Sequence, residues 1–175
     1  MKRPTQHFRH CPRCGTVVEP PVGNHPLRCA ACDFTLFFNP AAAVGAFVLR
    51  PDGRMLWLQR AKDPGKGRLG LAGGFVDVGE TAEQALAREL DEEVGLTIRT
   101  WRFVCSVPND YEYAEVRYPV CDLFFEVQVQ ASEVVRAEEG EVAGWRWLLP
   151  EEVDPGQIAF NSVRAAFQQW RSAPA

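Results

Sequence analysis

The 175-residue chain is predicted to fold as an α/β layer structure behind a small metal-stapled N-terminal module. Three observations predict this. Short apolar runs rich in Val, Phe and Tyr are interleaved with two helical patterns, one before and one after most of the strands. Four of the six cysteines fall in two close pairs between positions 11 and 32. Charge also divides the chain: residues 1–38 hold five Lys or Arg, two Asp or Glu and all three histidines, whereas the remainder is acidic. The expected units are therefore 1–38 and 39–175. With 46% apolar residues the larger unit can bury a core of its own. No run of 18 apolar residues is present and the N-terminal MKRPTQHFRHCPRC lacks the apolar stretch of a signal peptide. These features exclude a membrane-spanning class and predict a cytoplasmic setting, in which thiols stay reduced and metal binding is favoured over disulfides.

The N-terminal pairs are Cys11-Pro12-Arg13-Cys14 and, 14 residues on, Cys29-Ala30-Ala31-Cys32. Two such knuckles fit a tetrahedral site for Zn2+ in which Cys11, Cys14, Cys29 and Cys32 supply four thiolates. The turn-rich segment between them, with Pro20, Pro21, Gly23 and Pro26, is too short and polar to fold without a metal. His7, His10 and His25 are read as surface residues, because four sulfurs complete the site. The segment resembles a zinc ribbon. Such ribbons often bind nucleic acid, and its mild basicity keeps a nucleic-acid partner open beside a purely structural role. Cys105 and Cys121 lie in apolar runs and are expected to be buried.

Asn39-Pro40 marks the boundary. The apolar run 43–50, the turn Pro51-Asp52-Gly53 and the run 55–59 read as a hairpin. The loop Lys62–Arg68, KDPGKGR, is basic and is read either as solvated or as attracting phosphate. Gly73 and Gly74 let the backbone approach a ligand without a Cβ. A helix follows: Thr81 and Gln84 spell a capping box and Gly95 ends it. Leu86, Ala87, Leu90 and Val94 form its expected buried stripe. Glu89, Glu92 and Glu93 form a second stripe, where like charges at one-turn spacing repel. Clustered carboxylates beside a glycine turn suit a hard divalent cation. Downstream, 101–107 and 116–129 read as strands, AEEGEV within 134–142 as an acidic turn, 145–148 as a strand and 150–153 as a short helical turn. Val163, Ala166, Phe167 and Trp170 give the last helix its apolar face.

Gly74, Glu80, Arg88, Glu89, Leu90, Glu92, Glu93, Gly95 and Leu96 fill every fixed place of the Nudix box, so the chain resembles the Nudix hydrolase family. The resemblance implies an α/β/α sandwich with a mixed sheet and a box folded as loop–helix–loop. It implies hydrolysis of the diphosphate in a nucleoside diphosphate linked to a group X, with release of a nucleoside monophosphate. Mg2+ or Mn2+ would be held by Glu89, Glu92 and Glu93, with Glu80 as a further ligand or outer group and Gly73 and Gly74 beside the phosphates. Arg88 would orient the glutamates, and Glu89 leads among the carboxylates, Glu93 included, as general base. Several family members place an extra glutamate six residues before a tryptophan; Glu139, ahead of Trp145, has that spacing, with Glu138 and Glu141 as loop neighbours of lesser expected effect.

The order of ribbon and box is similar to the NADH pyrophosphatase branch of the family. After the box, Ser106-Val107-Pro108-Asn109-Asp110-Tyr111 departs from the Ser-Gln-Pro-Trp-Pro-Phe-Pro run of that branch. ADP-ribose, NAD(H) and related nucleotides are thus all admitted as small-molecule substrates. The alternatives are a nucleotide-sensing or nucleic-acid-binding regulator that uses the ribbon, and removal of nucleotide caps from RNA. A homodimer is admitted as the assembly.

Overall fold

The structure is a computed structural model and describes residues 2–173. Two compact units are present. The first takes Met1–Ala41 together with Asp110–Val120, and the second Ala42–Asn109 together with Cys121–Ala175. Among the described residues no helix is long and apolar enough to cross a membrane.

In the first unit a 3-10 turn at Pro4–His7 precedes a two-stranded ribbon, β1 (Leu27–Arg28) against β2 (Thr35–Leu36), antiparallel with Leu27 facing Leu36. The two cysteine knuckles repeat one backbone design. The N–H groups of Gly15 and Asp33 bond back to the carbonyls of Cys11 and Cys29, each at 2.9 Å. The Cys11 and Cys29 N–H groups in turn donate to Thr16 and Phe34, five residues on. Each knuckle closes through a left-handed residue directly after its second cysteine, Gly15 at φ 75° and Asp33 at φ 57°. Glycine and aspartate tolerate that conformation far better than a branched residue would.

The second unit contains β3 (Ala41–Leu49), β4 (Met55–Arg60), β5 (Leu69–Gly70), β6 (Arg102–Tyr113), β7 (Val116–Gln128) and β8 (Val142–Leu148), apart from the strand ends that belong to the first unit. The sheet runs in the order β5-β4-β3-β7-β6, with β8 antiparallel to β4. Alternation along β3 sends Val44, Ala46 and Val48 to one face and Phe47 and Leu49 to the other. The helix α1 (Ala82–Val94) covers the first face and α2 (Asn161–Ser172) the second. This is the expected α/β/α sandwich. Phe47, Trp57, Phe124 and Phe167 are fully buried in the α2 layer, each contributing roughly 1.5–3 kcal/mol.

Three local expectations are corrected. The first long strand after α1 does not end at Val107 but continues to Tyr113. Pro108 is accommodated because β6 is the edge of the sheet, where a missing N–H costs little. The reversal falls instead at Ala114 and Glu115, both left-handed, at φ 47° and 63°. On α1, Ala85 is buried and Ala87 only partly so; the methyl of Ala85 joins the same cluster as Leu86, Leu90 and Val94. Cys105 and Cys121 are partly exposed rather than buried.

Candidate active site and metal cluster

The acidic site is assembled by the glycine turn and α1. Thr81 caps the helix by accepting from the Gln84 N–H, while the Gln84 side chain accepts from the Thr81 N–H. Gly95 ends it in the left-handed conformation, φ 66°. Between these stops, Arg88 projects from the helix into a ring of acceptors. Its guanidinium donates to both oxygens of Glu80 at 3.0 Å, to Glu89 at 2.7 Å, to Glu92 at 3.1 Å and to the Phe75 carbonyl at 3.0 Å. A planar fork can serve that many carboxylates where an ammonium could not. Arg88 holds Glu80 below the usual carboxylate range and is itself pushed up, first by Glu80 and then by Glu89.

Glu93 is anchored differently. One of its oxygens accepts from the Gly73 N–H at 2.8 Å. Burial pushes Glu93 up to about 8, the charges of Glu89 and Glu141 add to the rise, and Arg60 opposes it. Burial also raises Glu89, with Glu92 and Glu141 contributing against the pull of Arg88. Two desolvated carboxylates therefore share one corner of the fold, with their charge only partly balanced. Such crowding is a cost that a bound cation would relieve. Glu89, Glu92 and Glu93 are not drawn into one tight ligand group: Arg88 spans Glu89 and Glu92 while the Gly73 N–H holds Glu93.

The glycines fit this arrangement. Gly73 sits at φ 144°, and a Cβ there would run into the Val44 carbonyl. Gly74 has an ordinary backbone, but a Cβ there would stand 2.7 Å from Cδ of Glu89. Gly74→Ala is thus expected to fold, displace the Glu89 carboxylate and lower kcat by about 100-fold, the scale of a misplaced reacting group. Turnover measured beside a thermal melt checks this; unchanged kcat would show that Glu89 does not need its position.

Sequence reasoning singled out Glu139 and gave Glu141 the lesser role of a loop neighbour. Glu139 is exposed. Glu141 pairs with Lys62 at 3.0 Å, and its charge reaches both Glu89 and Glu93. No local signal marks it, because its placement follows from a bulge: between Gln59 and Arg60 the β4–β8 register slips, pairing Gln59 with Gly144 and Arg60 with Val142. The Glu141 carbonyl then accepts from the Ala61 N–H at 2.9 Å. Bulges of this kind re-aim side chains beside sites.

The cysteines form the second constellation. Cys11, Cys14, Cys29 and Cys32 bring their Sγ atoms within 4.8 Å of one another. The Cys11–Cys32 and Cys14–Cys29 separations are 3.7 and 3.6 Å. A tetrahedron with metal–sulfur bonds near 2.3 Å has edges of roughly 3.8 Å, so the cage fits a four-thiolate metal. Hydrogen bonding from Thr16 lowers Cys14, which favours its thiolate form, while burial and the neighbouring sulfurs push Cys32 up. His7, His10 and His25 are exposed, as expected.

Residues 39–169 match the NUDIX domain family model. The chain belongs to the Nudix family. It is 43% identical over 112 residues to an ADP-ribose pyrophosphatase of Methanocaldococcus jannaschii, covering 63% of each chain. To an NAD-capped RNA hydrolase NudC of Chromobacterium violaceum it is 30% identical over 171 residues, covering 95% of this chain and 54% of that one. The chain thus spans between about half and two-thirds of the length of these Nudix relatives. Among solved structures, a MutT Nudix hydrolase from Burkholderia pseudomallei superposes with a TM-score of 0.65 at 26% identity, covering 75% of this chain and 98% of that one. The Nudix domain of Shewanella oneidensis NrtR, complexed with ADP ribose, gives 0.63 at 22% identity, covering 77% and 88%, and shares the fold.

Proposed function

We propose that this Nudix protein hydrolyses the diphosphate linkage of a nucleoside diphosphate joined to X, with ADP-ribose, NAD(H) or an NAD-derived RNA cap as substrate class, releasing a nucleoside monophosphate. The observation that carries this reading is the set of four box glutamates held around the Gly73-Gly74 turn, three by Arg88 and one by the Gly73 N–H. Residues 39–175 form the hydrolase domain and 1–38 a module stapled by Zn2+ on Cys11, Cys14, Cys29 and Cys32. The substrate class follows the names of the relatives. The match to a NudC of Deinococcus radiodurans covers 88% of this chain, against 63% for the ADP-ribose pyrophosphatase. A reducing, cytoplasmic setting suits the four thiols.

Glu89, Glu92 and Glu93 would hold Mg2+ or Mn2+, with Glu80 behind them. A divalent cation held there would neutralise diphosphate charge and lower the pKa of a water. Arg88 fixes Glu80, Glu89 and Glu92 and the Gly73 N–H holds Glu93, so each carboxylate is anchored by the protein, although the three would have to draw together to share a cation. The Gly73-Gly74 backbone leaves room for phosphate oxygens. Glu89 remains the leading base, with Glu93 beside it and the loop acids as the remaining choice.

A panel of ADP-ribose, NADH and NAD-capped RNA with Mg2+ or Mn2+, with products identified, tests the reading; no nucleoside monophosphate from any of them would overturn it. On the best substrate, Glu139→Gln and Glu141→Gln separate sequence spacing from electrostatics. If the extra carboxylate is Glu139, its variant loses roughly 10- to 1000-fold in kcat. Removing the Glu141 charge is expected to shift the ionisation of Glu93 downward, seen as a downward move of the limb it governs in the pH profile. An unmoved profile would remove Glu141 from the site.

A further inference from the structure

A cavity of about 270 Å³ opens between the end of β4 and the 3-10 turn Pro155–Gln157, and the chemistry assigned above does not use it. Gln59, Arg68, Leu69, Arg146 and Gln157 line it, with Gly67 and Gly156. Its place in the sheet separates it from the box glutamates. Trp57 packs in the α2 layer, and Arg146 stands opposite Trp57 in the β4–β8 ladder. Gln59, two residues on from Trp57, shares that face. The acid-bearing helix α1 covers the other face. The cavity therefore lies across the sheet from the carboxylates, and a ligand in it would be independent of the metal cradle.

Backbone bonds fix its walls. The Gly67 N–H donates to the Arg60 carbonyl at 2.8 Å, and the Arg60 N–H to the Arg68 carbonyl at 3.0 Å, which closes the basic loop. The Ala159 N–H donates to the Leu69 carbonyl at 2.8 Å and ties β5 to the chain just past the 3-10 turn. Side chains join the same walls. Arg68 donates to the Gly156 carbonyl, and the Gln59 amide donates to the Gly67 carbonyl at 3.3 Å. A guanidinium carries five N–H groups, so Arg68 keeps donors for a ligand after that one bond.

The chemistry of the lining is one-sided. Two guanidinium and two amide side chains line the space, and no carboxylate does. Asp154, the acid of the neighbouring turn, is taken up by the Gly156 N–H at 2.8 Å. Among the described residues neither Arg68 nor Arg146 forms an ion pair. Donors are in excess on adjoining residues too. The Trp57 indole N–H, opposite Arg146, is buried with no acceptor. So is Nε of Arg164, whose guanidinium donates to the Ile158 carbonyl at 3.2 Å. Two cations and two amides around one space, in an otherwise acidic unit, call for an anion. Its shape follows from where the donors come from. They reach the space from four segments, at 59, 68, 146 and 157. A tetrahedral oxyanion offers acceptors in that many directions, whereas a carboxylate offers two in one plane. Size limits the rest: sites for whole drug-sized ligands begin near roughly 300 Å³, so this one suits the anionic group itself.

We propose that the Arg68–Arg146 cavity binds a small phosphate, as a site separate from the acidic one. The ion would bridge Arg146 on β8 to Arg68 at the end of the basic loop, with the Gln59 and Gln157 amides completing its hydrogen bonds. The phosphate class has two sources, inorganic phosphate and the phosphomonoester of a small molecule, and both present the same group to the arginines.

The experiment uses the full chain with zinc retained and no Mg2+ or Mn2+, so it does not depend on turnover. Titration calorimetry and thermal melts with inorganic phosphate are compared with chloride at matched ionic strength. The wild type is expected to bind about one phosphate per chain and to melt higher as phosphate rises, because a ligand held only by the folded state stabilises it. Arg146 is exposed, so Arg146→Gln should fold; losing one charge-assisted contact should weaken phosphate about 10- to 100-fold and remove most of the rise in melting temperature. Arg99→Gln removes the same charge from another exposed position and should change neither, and Glu93→Gln should keep the binding because it lies across the sheet. A nucleoside monophosphate in place of phosphate separates the sources: binding with the same Arg146 dependence assigns the group to a phosphomonoester, and binding by inorganic phosphate alone assigns it to the free ion, and the site stands in both cases. No saturable binding by either, or binding that Arg146→Gln leaves unchanged or that Arg99→Gln weakens equally, would show an adventitious ion only and overturn the proposal.

Discussion

Glu93→Gln is expected to lower kcat by about 100- to 10,000-fold on the best substrate while leaving the fold intact, because it removes a carboxylate from the metal cradle or a group that moves a proton. The amide oxygen can still accept from the Gly73 N–H, so the turn keeps its anchor. A second readout comes from pH. With zinc retained but no Mg2+ or Mn2+ present, burial holds the Glu93 proton to about 8, against 4.5 as the ordinary value. Between those values the folded state binds the extra proton. The stability contributed by the neutral carboxyl is therefore full below about 4.5 and is lost as pH rises through about 8. The wild type should lose melting temperature across that window, and Glu93→Gln, which cannot ionise, should lose less. Full turnover by the variant at saturating Mg2+ would remove Glu93 from the mechanism, and parallel pH–melting curves would show that its carboxyl is not the buried group described here.

Stripping the thiolate-bound metal is expected to unfold the first unit while the second survives. The module has a two-stranded ribbon and few buried apolar side chains, Leu27 among them, so its own core is small. Structural zinc supplies about 10–16 kcal/mol in comparable small folds. One zinc per chain is expected, falling to well below one in Cys29→Ser. With chelator, limited proteolysis should cut first within 1–41, while the core around Phe47, Trp57 and Phe167 stays protected. Metal analysis that finds no zinc, or a cleavage pattern unmoved by chelation, would contradict the assignment.

Much of the site was legible because its residues are close in sequence. Gly73 to Gly95 lie on one turn and one helix, and helical periodicity alone places Glu89, Glu92 and Glu93 on a common stripe. The cap at Thr81, the stop at Gly95 and the exposed histidines followed from local chemistry in the same way. The limits appeared where a partner came from far along the chain. Whether the loop acid in the field of Glu93 is Glu139 or Glu141 depends on a one-residue slip between β4 and β8, which no spacing within 138–145 reveals. The length of β6 was hidden because Pro108 reads as a stop unless the strand is known to be an edge.

By itself, then, the sequence determined most of the secondary elements and the acid-bearing helix, since each arises from contacts a few residues apart, and it marked the four-cysteine cage through two local pairs that meet across 15 and 21 positions. Only the tertiary structure decided the protonation of Glu93, which burial and two other carboxylates set together, and the grouping of Asp110–Val120 with the N-terminal unit. It alone opened the cavity between Arg68 and Arg146, 78 positions apart in the chain. Desolvation and long-range pairing depend on which distant atoms exclude water, and that is a property of the packed chain.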